Sequence, residues 1–275
     1  MLRKAQPHPF LQSCLWACFL LPLFISIVFS QTVSDTSVTN IRVLTYNIYH
    51  GETMRGDFNL DVIADVINKA DPDLVALQEV DSLTDRTHGM DLVKELGLRT
   101  KMLPLFGKAM SYDNGAYGNG ILSKTPLLAS NVLSLPHAPN HEPRIALYAT
   151  TVLSNGDTVS FISTHLDYKK DEKERIAQVK RINNLFALST YPIILAGDLN
   201  AVPGSAPINI LVSRWKPTFD SSHPEPTFPS KTPQMKIDYI MVFPGSAWRI
   251  ISTSVIQDSV ASDHCAYLSN LKLLH

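Results

Sequence analysis

The sequence predicts an α/β fold in which helices pack outside two β-sheets. Two short apolar runs are the first sign. IILA (193–196) lies between Pro192 and Gly197, and LVAL (74–77) follows Asp71-Pro72-Asp73. Runs that short, β-branched and bounded by chain-breaking residues read as strands buried on both faces. The second sign is the count of elements, because strand patterns outnumber helical ones and hairpin signals fall among them. With 275 residues and 45% hydrophobic content, the chain is long enough for one large core.

Taken in order, IRVLTYNIY (41–49) alternates around β-branched and aromatic residues and reads as a strand. Asn47 interrupts it, either as a strand end or as a ligand. Asn59 caps a helix whose apolar face is Leu60, Ile63, Ala64 and Ile67, and Asp71-Pro72-Asp73 stops it. LVAL ends on Gln78-Glu79, so a buried strand delivers a carboxylate at its C-terminal end. Residues 81–90 are a polar loop and 91–96 a short helix. YGNG (117–120) leads into a strand whose glycines allow close backbone approach. Residues 136–143 are a Pro/His loop, and Arg144 opens the next strand. Asn155-Gly156 is a two-residue hairpin signal, and its return strand delivers THLD (164–167). Residues 172–188 form the longest helix, with Ile176, Val179, Ile182, Leu185 and Phe186 as its buried stripe. The strand 193–196 ends in GDLN (197–200), where period-two geometry sets Asp198 and Asn200 on one side and Leu199 on the other. Residues 215–233 are Pro-rich and irregular. Strands follow at 237–243, 248–256 and 265–274, the last preceded by Ser262-Asp263-His264.

The first thirty residues differ in kind. Arg3 and Lys4 are followed by an apolar stretch over 15–29 and small residues near Ser30. This pattern predicts a signal peptide at 1–30 and a secreted or periplasmic protein; the alternative is an uncleaved membrane anchor. The stretch is shorter than the roughly 20 residues of a comfortable span, so no stable membrane span is expected in the mature chain. Residues 31–40 read as a flexible lead-in and 41–275 as a single domain. Cys14 and Cys18 lie in the leading segment, so the mature chain keeps only Cys265 and has no internal disulfide. The first thirty residues carry two of the 24 basic residues and none of the 25 acidic ones, leaving a mildly acidic remainder without a basic block. Broad gripping of nucleic acid is therefore not indicated by charge, whereas a small anionic substrate at one site remains open. A monomer is expected.

Asn47, Glu79, His165, Asp167, Asp198, Asn200, Asp238, Asp263 and His264 all sit at strand ends or beside them. Singly, each has a plainer reading as a turn, cap or structural residue. Together, in a two-sheet sandwich, they can converge on one rim. Oxygen ligands accompanied by two histidines suit a hard cation, Mg²⁺ with Mn²⁺ as the alternative, acting on a phosphate ester. Zinc is disfavoured by the lack of an HExxH or a Cys cluster. His137, His141 and His223 read as surface residues of Pro-rich loops, and Tyr46 and Trp215 as core.

TYNI (45–48), LQEV (77–80), YGNGILSK (117–124), STHLD (163–167), GDLNA (197–201), IDYI (237–240) and SDH (262–264) occur in this order. The series resembles the endonuclease/exonuclease/phosphatase family, which includes deoxyribonucleases, inositol-polyphosphate phosphatases and neutral sphingomyelinases. The resemblance implies a four-layer α/β sandwich, with two packed mixed sheets flanked by helices, and Mg²⁺-dependent hydrolysis of phosphodiesters or phosphomonoesters. By the same resemblance, Glu79 is the principal metal ligand, with Asn47 beside it and Asp263 as a further ligand or a partner for a His. Asp198 aligns or deprotonates the attacking water, and Asn200 contacts the phosphate. His264 stabilises charge on the scissile phosphate, Asp238 orients a His, and His165 is the second histidine. Asn119 and Arg144 bind substrate. A basic loop or aromatic wedge for a DNA groove is missing, so a phosphatase or phospholipid phosphodiesterase is the rival activity. A catalytically inactive binding protein is the rival from another class.

Overall fold

The computed structural model describes residues 40–274. The signal segment expected at 1–30, and all of the lead-in except Asn40, lie outside the described residues. Two six-stranded mixed sheets face each other. The first contains β1 (Asn40–Asn47), β2 (Leu74–Ser82), β3 (Leu103–Tyr112), β4 (Gly115–Ser123), β11 (Trp248–Ile256) and β12 (Ala266–Leu273). They are ordered β11-β12-β1-β2-β4-β3. The second contains β5 (Leu127–Ser134), β6 (Ile145–Val152), β7 (Thr158–His165), β8 (Ile193–Asp198), β9 (Lys216–Pro217) and β10 (Asp238–Phe243). Their order is β5-β6-β7-β8-β10-β9. Each sheet has one parallel pair at its centre, β1 with β2 and β7 with β8. The flanking helices are α1 (Leu60–Ala70), α2 (Leu92–Thr100), α3 (Lys173–Leu185) and α4 (Ala206–Val212).

Alternation along the strands builds the layers. On β1, Ile41 and Val43 join the cluster between the sheets, while Leu44 and Tyr46 face α1 and α2. On β2, Leu74 and Ala76 point inward and Val75 and Leu77 outward. The predicted cap of α1 is present, since Asn59 accepts a hydrogen bond from Asp61 N–H. Tyr46 and Trp215 are core residues. Of the stripe expected on α3, Val179 and Ile182 are buried, but Leu185 is exposed. The helix ends there, and a 3-10 turn over Phe186–Leu188 sets Phe186 onto the core.

Four elements carried no sequence signal: β3, β5, α4 and the two-residue β9, which lies in the stretch 215–233 expected to be irregular. β3 and β5 are edge strands whose faces are largely exposed, and β3 contains Pro104, Gly107 and Lys108. Edge strands lack the apolar alternation that a covered face imposes. Helix α4 spans only Ala206–Val212, too short to establish a helical period.

Candidate active site

Strand register assembles the site. In the parallel β7–β8 pair His165 lies beside Asp198, and in the antiparallel β8–β10 pair Asp238 lies on its other side. A carboxylate at the end of β8 is thus flanked across the ladder by a histidine and a second carboxylate. β8 can approach β7 this closely because residue 197 is glycine; a Cβ there would fall on the Thr164 carbonyl oxygen. In the other sheet, β1 ends on Asn47 opposite Gln78 of β2. Ser262 Oγ donates to Asn47 O at 2.7 Å, which ties the segment leading into β12, and with it His264, to the same rim.

Glu79 arrives differently from expectation. Strand β2 continues past it to Ser82, and Glu79 sits in a bulge between the β4 partners Gly120 and Gly118. Its φ of 55° is left-handed, a strained conformation that turns its carboxylate toward the rim. Asn200 also has a left-handed backbone, with φ 47°. Simple alternation beyond Asp198 therefore does not apply, and the turn itself brings the Asn200 amide back to the site.

Asn47 sits at the centre. Its Nδ2 donates to Glu79 Oε1 at 3.0 Å and to Asp198 Oδ2 at 3.2 Å, while its Oδ1 accepts from Tyr49 N–H at 3.1 Å. It offers N–H groups to both carboxylates. His264 Nδ1 donates to Asp238 at 3.0 Å, and its Nε2 lies 3.6 Å from Asp198 Oδ2. Burial alone would lower the His264 pKa, but Asp238 and Asp198 outweigh burial and hold it up at about 10. The ring is therefore an imidazolium.

His165 is held the other way. Burial first, then the Arg144 guanidinium, push its pKa well below the usual histidine value. Arg144 Nη1 lies 2.9 Å from His165 Nδ1. A guanidinium has donors only, so Nδ1 carries the lone pair and the single ring proton resides on Nε2. That Nε2–H is 3.4 Å from Asp198 Oδ2. It also faces Asn200 Nδ2 at 3.0 Å, and this nitrogen must be an N–H donor because it also donates to Leu166 O at 3.0 Å. Two donors thus meet without an acceptor between them.

Burial pushes the Asp198 carboxyl up to about 7 despite the neighbouring His264 cation, and Asp238 adds to the rise. Burial also works to raise Glu79, but hydrogen bonds from His50 and Asn47 and the nearby histidines hold it below the ordinary carboxylate range. Asp263 is raised by burial and by Glu79.

The side chains open into a cavity of about 660 Å³ lined by Glu79, Asp198, Asn200, Asp263, His165 and His264, among others. The lining also includes Arg86, Arg144 and Arg175, the tyrosines Tyr112, Tyr117 and Tyr168, and the carboxylates Glu142 and Glu172. Arg86 is fixed by the buried Asp81 at 2.6 and 2.8 Å and stacks 4.6 Å from the centre of the Tyr112 ring. Arg144 also pairs with Glu142 at 3.1 Å. Asn119 does not line the cavity. It sits opposite the Glu79 bulge and donates to the Ile145 and Ser163 carbonyls at 3.2 and 3.4 Å, which bridges the two sheets.

Sequence reasoning did not single out His50, Arg86, Tyr117, Tyr168 or Arg175. His50, 3.7 Å from Glu79, was open to detection because it directly follows the strand pattern over 41–49. The others come from a loop, strand β4, the loop before α3 and α3 itself, where neither spacing nor strand ends mark them.

The donor chemistry separates two places for positive charge. Asp198, Asp238 and His264 present donor atoms within 4.8 Å of one another. The His264 imidazolium already offsets one of those two carboxylates. Glu79 and Asp263 are different, since no Lys or Arg among the described residues pairs with either. Two carboxylates facing one cavity, with only hydrogen bonds and histidines to offset them, fit a hard divalent cation.

Residues 44–264 match the model of the Endonuclease/Exonuclease/phosphatase family. Among solved structures, an endonuclease/exonuclease/phosphatase from Beutenbergia cavernae is similar, with 22% identity, a TM-score of 0.71, and coverage of 85% of this chain and 72% of that one. A mannosyl-6-phosphatase from Bacteroides thetaiotaomicron has 18% identity and a TM-score of 0.67, covering 84% and 99%. The human Nocturnin catalytic domain, solved with a bound sulfate anion, has 20% identity and a TM-score of 0.68, covering 86% and 95%. At these identities the likeness is one of fold.

Proposed function

The chain belongs to the endonuclease/exonuclease/phosphatase family, and from that premise we propose that it is an exported, Mg²⁺-dependent phosphoric-ester hydrolase. The observation that carries this reading is the pair of buried imidazoles set 3.4 and 3.6 Å from Asp198 Oδ2, one backed by the Arg144 guanidinium and the other by the Asp238 carboxylate.

In this reaction Asp198 takes a proton from water as the water oxygen bonds to phosphorus in line with the departing ester oxygen. A carboxyl raised toward neutrality suits that task. The P–O ester bond breaks as the new P–O bond forms, and solvent protonates the leaving oxygen. His264 donates from Nε2 to a non-bridging phosphate oxygen and lends its positive charge to the transition state. Asp238 holds the ring in place and keeps it protonated. His165 Nε2–H and the Asn200 amide donate to a second oxygen, and an acceptor there relieves the donor–donor contact between them. Glu79 and Asp263 would hold the cation, with Asn47 setting the positions of Glu79 and Asp198. When bound, Mg²⁺ or Mn²⁺ supplies neutralisation of charge on the phosphate oxygens.

A second feature bears on the substrate. The arginines and tyrosines of the cavity share its lining with Glu142 and Glu172, and the chain as a whole carries no basic excess, which favours a small or lipid phosphate ester over duplex nucleic acid. Among the described residues no helix is long and apolar enough to cross a membrane. The test is a panel of a sugar phosphate, inositol phosphates, sphingomyelin, single-stranded nucleic acid, plasmid DNA and an aryl phosphodiester, each with Mg²⁺ and with chelator. Turnover of a small or lipid ester that chelator abolishes is the expected result. Binding without turnover across the panel would replace this reading with that of an inactive binding protein.

A further inference from the structure

Outside the catalytic cavity, three side chains from three separate segments converge. His141 comes from the loop before β6, Asp167 from the segment just after β7, and Glu174 from the first turn of α3. Their donor atoms lie within 4.8 Å of one another.

The hydrogen bonds around this trio are incomplete. Asp167 is fully buried. Its Oδ1 accepts the Lys169 N–H at 2.8 Å, but Oδ2 has no partner. Glu174 Oε1 accepts the Ala138 N–H at 2.7 Å, whereas Oε2 is likewise unpartnered. His141 Nδ1 approaches Glu174 Oε1 to 2.7 Å, yet it lacks the alignment of a hydrogen bond. No Lys or Arg among the described residues pairs with either carboxylate. Arg175 spends its Nη1 on the Asp167 and Lys169 carbonyls. A buried carboxylate oxygen without a partner is costly. The surroundings nevertheless hold Asp167 firmly, with Gln178 Oε1 accepting its N–H at 3.0 Å.

We propose that His141, Asp167 and Glu174 form a structural binding site for a divalent transition-metal cation, separate from the catalytic centre. Imidazole and carboxylate are donor types that Zn²⁺ accepts, with Mn²⁺ the nearest substitute, and three such ligands leave a fourth position to water. The set suits Mg²⁺ poorly, because that ion favours oxygen ligands and retains its waters. An ion pair between His141 and Glu174 would close the loop by itself, but it leaves Asp167 Oδ2 without a purpose. A cation at this place ties the loop before β6 to the end of β7 and the start of α3. That loop leads into Arg144, and β7 ends on His165. The site therefore fixes the segments that bear the guanidinium–imidazole pair.

The experiment uses the full chain, stripped of metal by chelator and dialysed. Zn²⁺ stoichiometry and thermal stability are measured for wild type, His141→Ala, Asp167→Asn, Glu174→Gln and Glu79→Gln. Wild type and Glu79→Gln should bind Zn²⁺ at this site and melt several degrees higher with it. The three site variants should each lose one equivalent, or bind it about 100-fold more weakly, and lose the shift in melting temperature. If Asp167→Asn fails to fold, His141→Ala decides, because His141 is a half-buried loop residue. Unchanged Zn²⁺ stoichiometry and melting shift in both His141→Ala and Glu174→Gln overturn the proposal. So does a Zn²⁺ effect that disappears only with Glu79→Gln. Failure of the catalytic reading would leave these measurements untouched, since none of them reads turnover.

Discussion

Arg144 Nη1 stands 2.9 Å from His165 Nδ1, a buried contact at the edge of the catalytic cavity. This contact fixes the tautomer of His165 and disfavours its protonation. Replacing Arg144 with Met removes a cation that lowers the His165 pKa, so that pKa should rise, although burial continues to hold it down. Nitrogen chemical shifts of labelled histidine should show the proton no longer confined to Nε2. The rate should fall roughly 10²-fold, comparable to loss of one oriented donor. An unchanged tautomer would show that Asp198 rather than Arg144 sets it.

Asp238 is the strongest influence raising His264. Burial opposes the cation, so Asp238→Asn should lower the pKa of His264 substantially from about 10. Activity that needs the imidazolium is lost as pH rises through that value. The alkaline limb of kcat/KM should therefore move toward neutral pH in the variant. Stability carries the same sign. A raised folded pKa contributes fully below the unfolded value of about 6.5 and fades as pH rises toward 10. Wild-type stability should decline across that window, and the Asp238→Asn curve should be flatter. Coincident alkaline limbs for the two proteins would exclude this role for Asp238.

Asp198→Asn should fold normally and lose roughly 10²–10⁴ in rate, the range for a positioned general base. Because burial lifts the carboxyl to about 7, the base form appears only as pH rises through that value, which sets the acid limb of the wild-type profile. Circular dichroism and a pH–rate profile make the comparison. Retained Mg²⁺-dependent turnover would remove Asp198 from the reaction.

Chelator should abolish turnover and Mg²⁺ restore it. Glu79→Gln should need far more Mg²⁺ for half-maximal rate, because one of the two carboxylates facing the cavity loses its charge. Activity titrated against Mg²⁺ separates this from misfolding: a lower plateau without a shifted midpoint would mean that Glu79 acts elsewhere than on the ion.

Much of this arrangement was legible in the chain. Asn47, His165 and Asp198 end strands whose apolar runs are plain, Asp238 opens one, and buried polar residues at such ends stand out against the hydrophobic pattern. What the pattern could not convey was how they meet. The two-against-one pairing that turns Glu79 depends on β4, and the left-handed turn at Asn200 is held by its N–H on Asp198 Oδ1 and its amide on Leu166 O. The arginines and tyrosines of the cavity come from segments without strand-end geometry. β3 and β5 escaped notice because an exposed edge places few demands on composition.

Gly197 offers a test of whether register is what assembles the site. A Cβ at this position would overlap the Thr164 carbonyl oxygen and press on its carbonyl carbon at 2.9 Å. Both atoms are backbone in the parallel β7–β8 ladder, so no side-chain rotation relieves the clash. Gly197→Ala must instead push β7 and β8 apart where His165 pairs with Asp198. The cost should reach about 3 kcal/mol or more, the upper end of overpacking in a core. Below its melting temperature the variant should remain folded but lose rate as severely as a catalytic substitution, since His165 and Asp198 no longer share one register. Denaturant unfolding and kcat on the same preparation make the comparison. A variant that loses stability but keeps the wild-type kcat would show that the site tolerates a shifted ladder, and that contacts within the loops, not strand register, hold Asp198 in place.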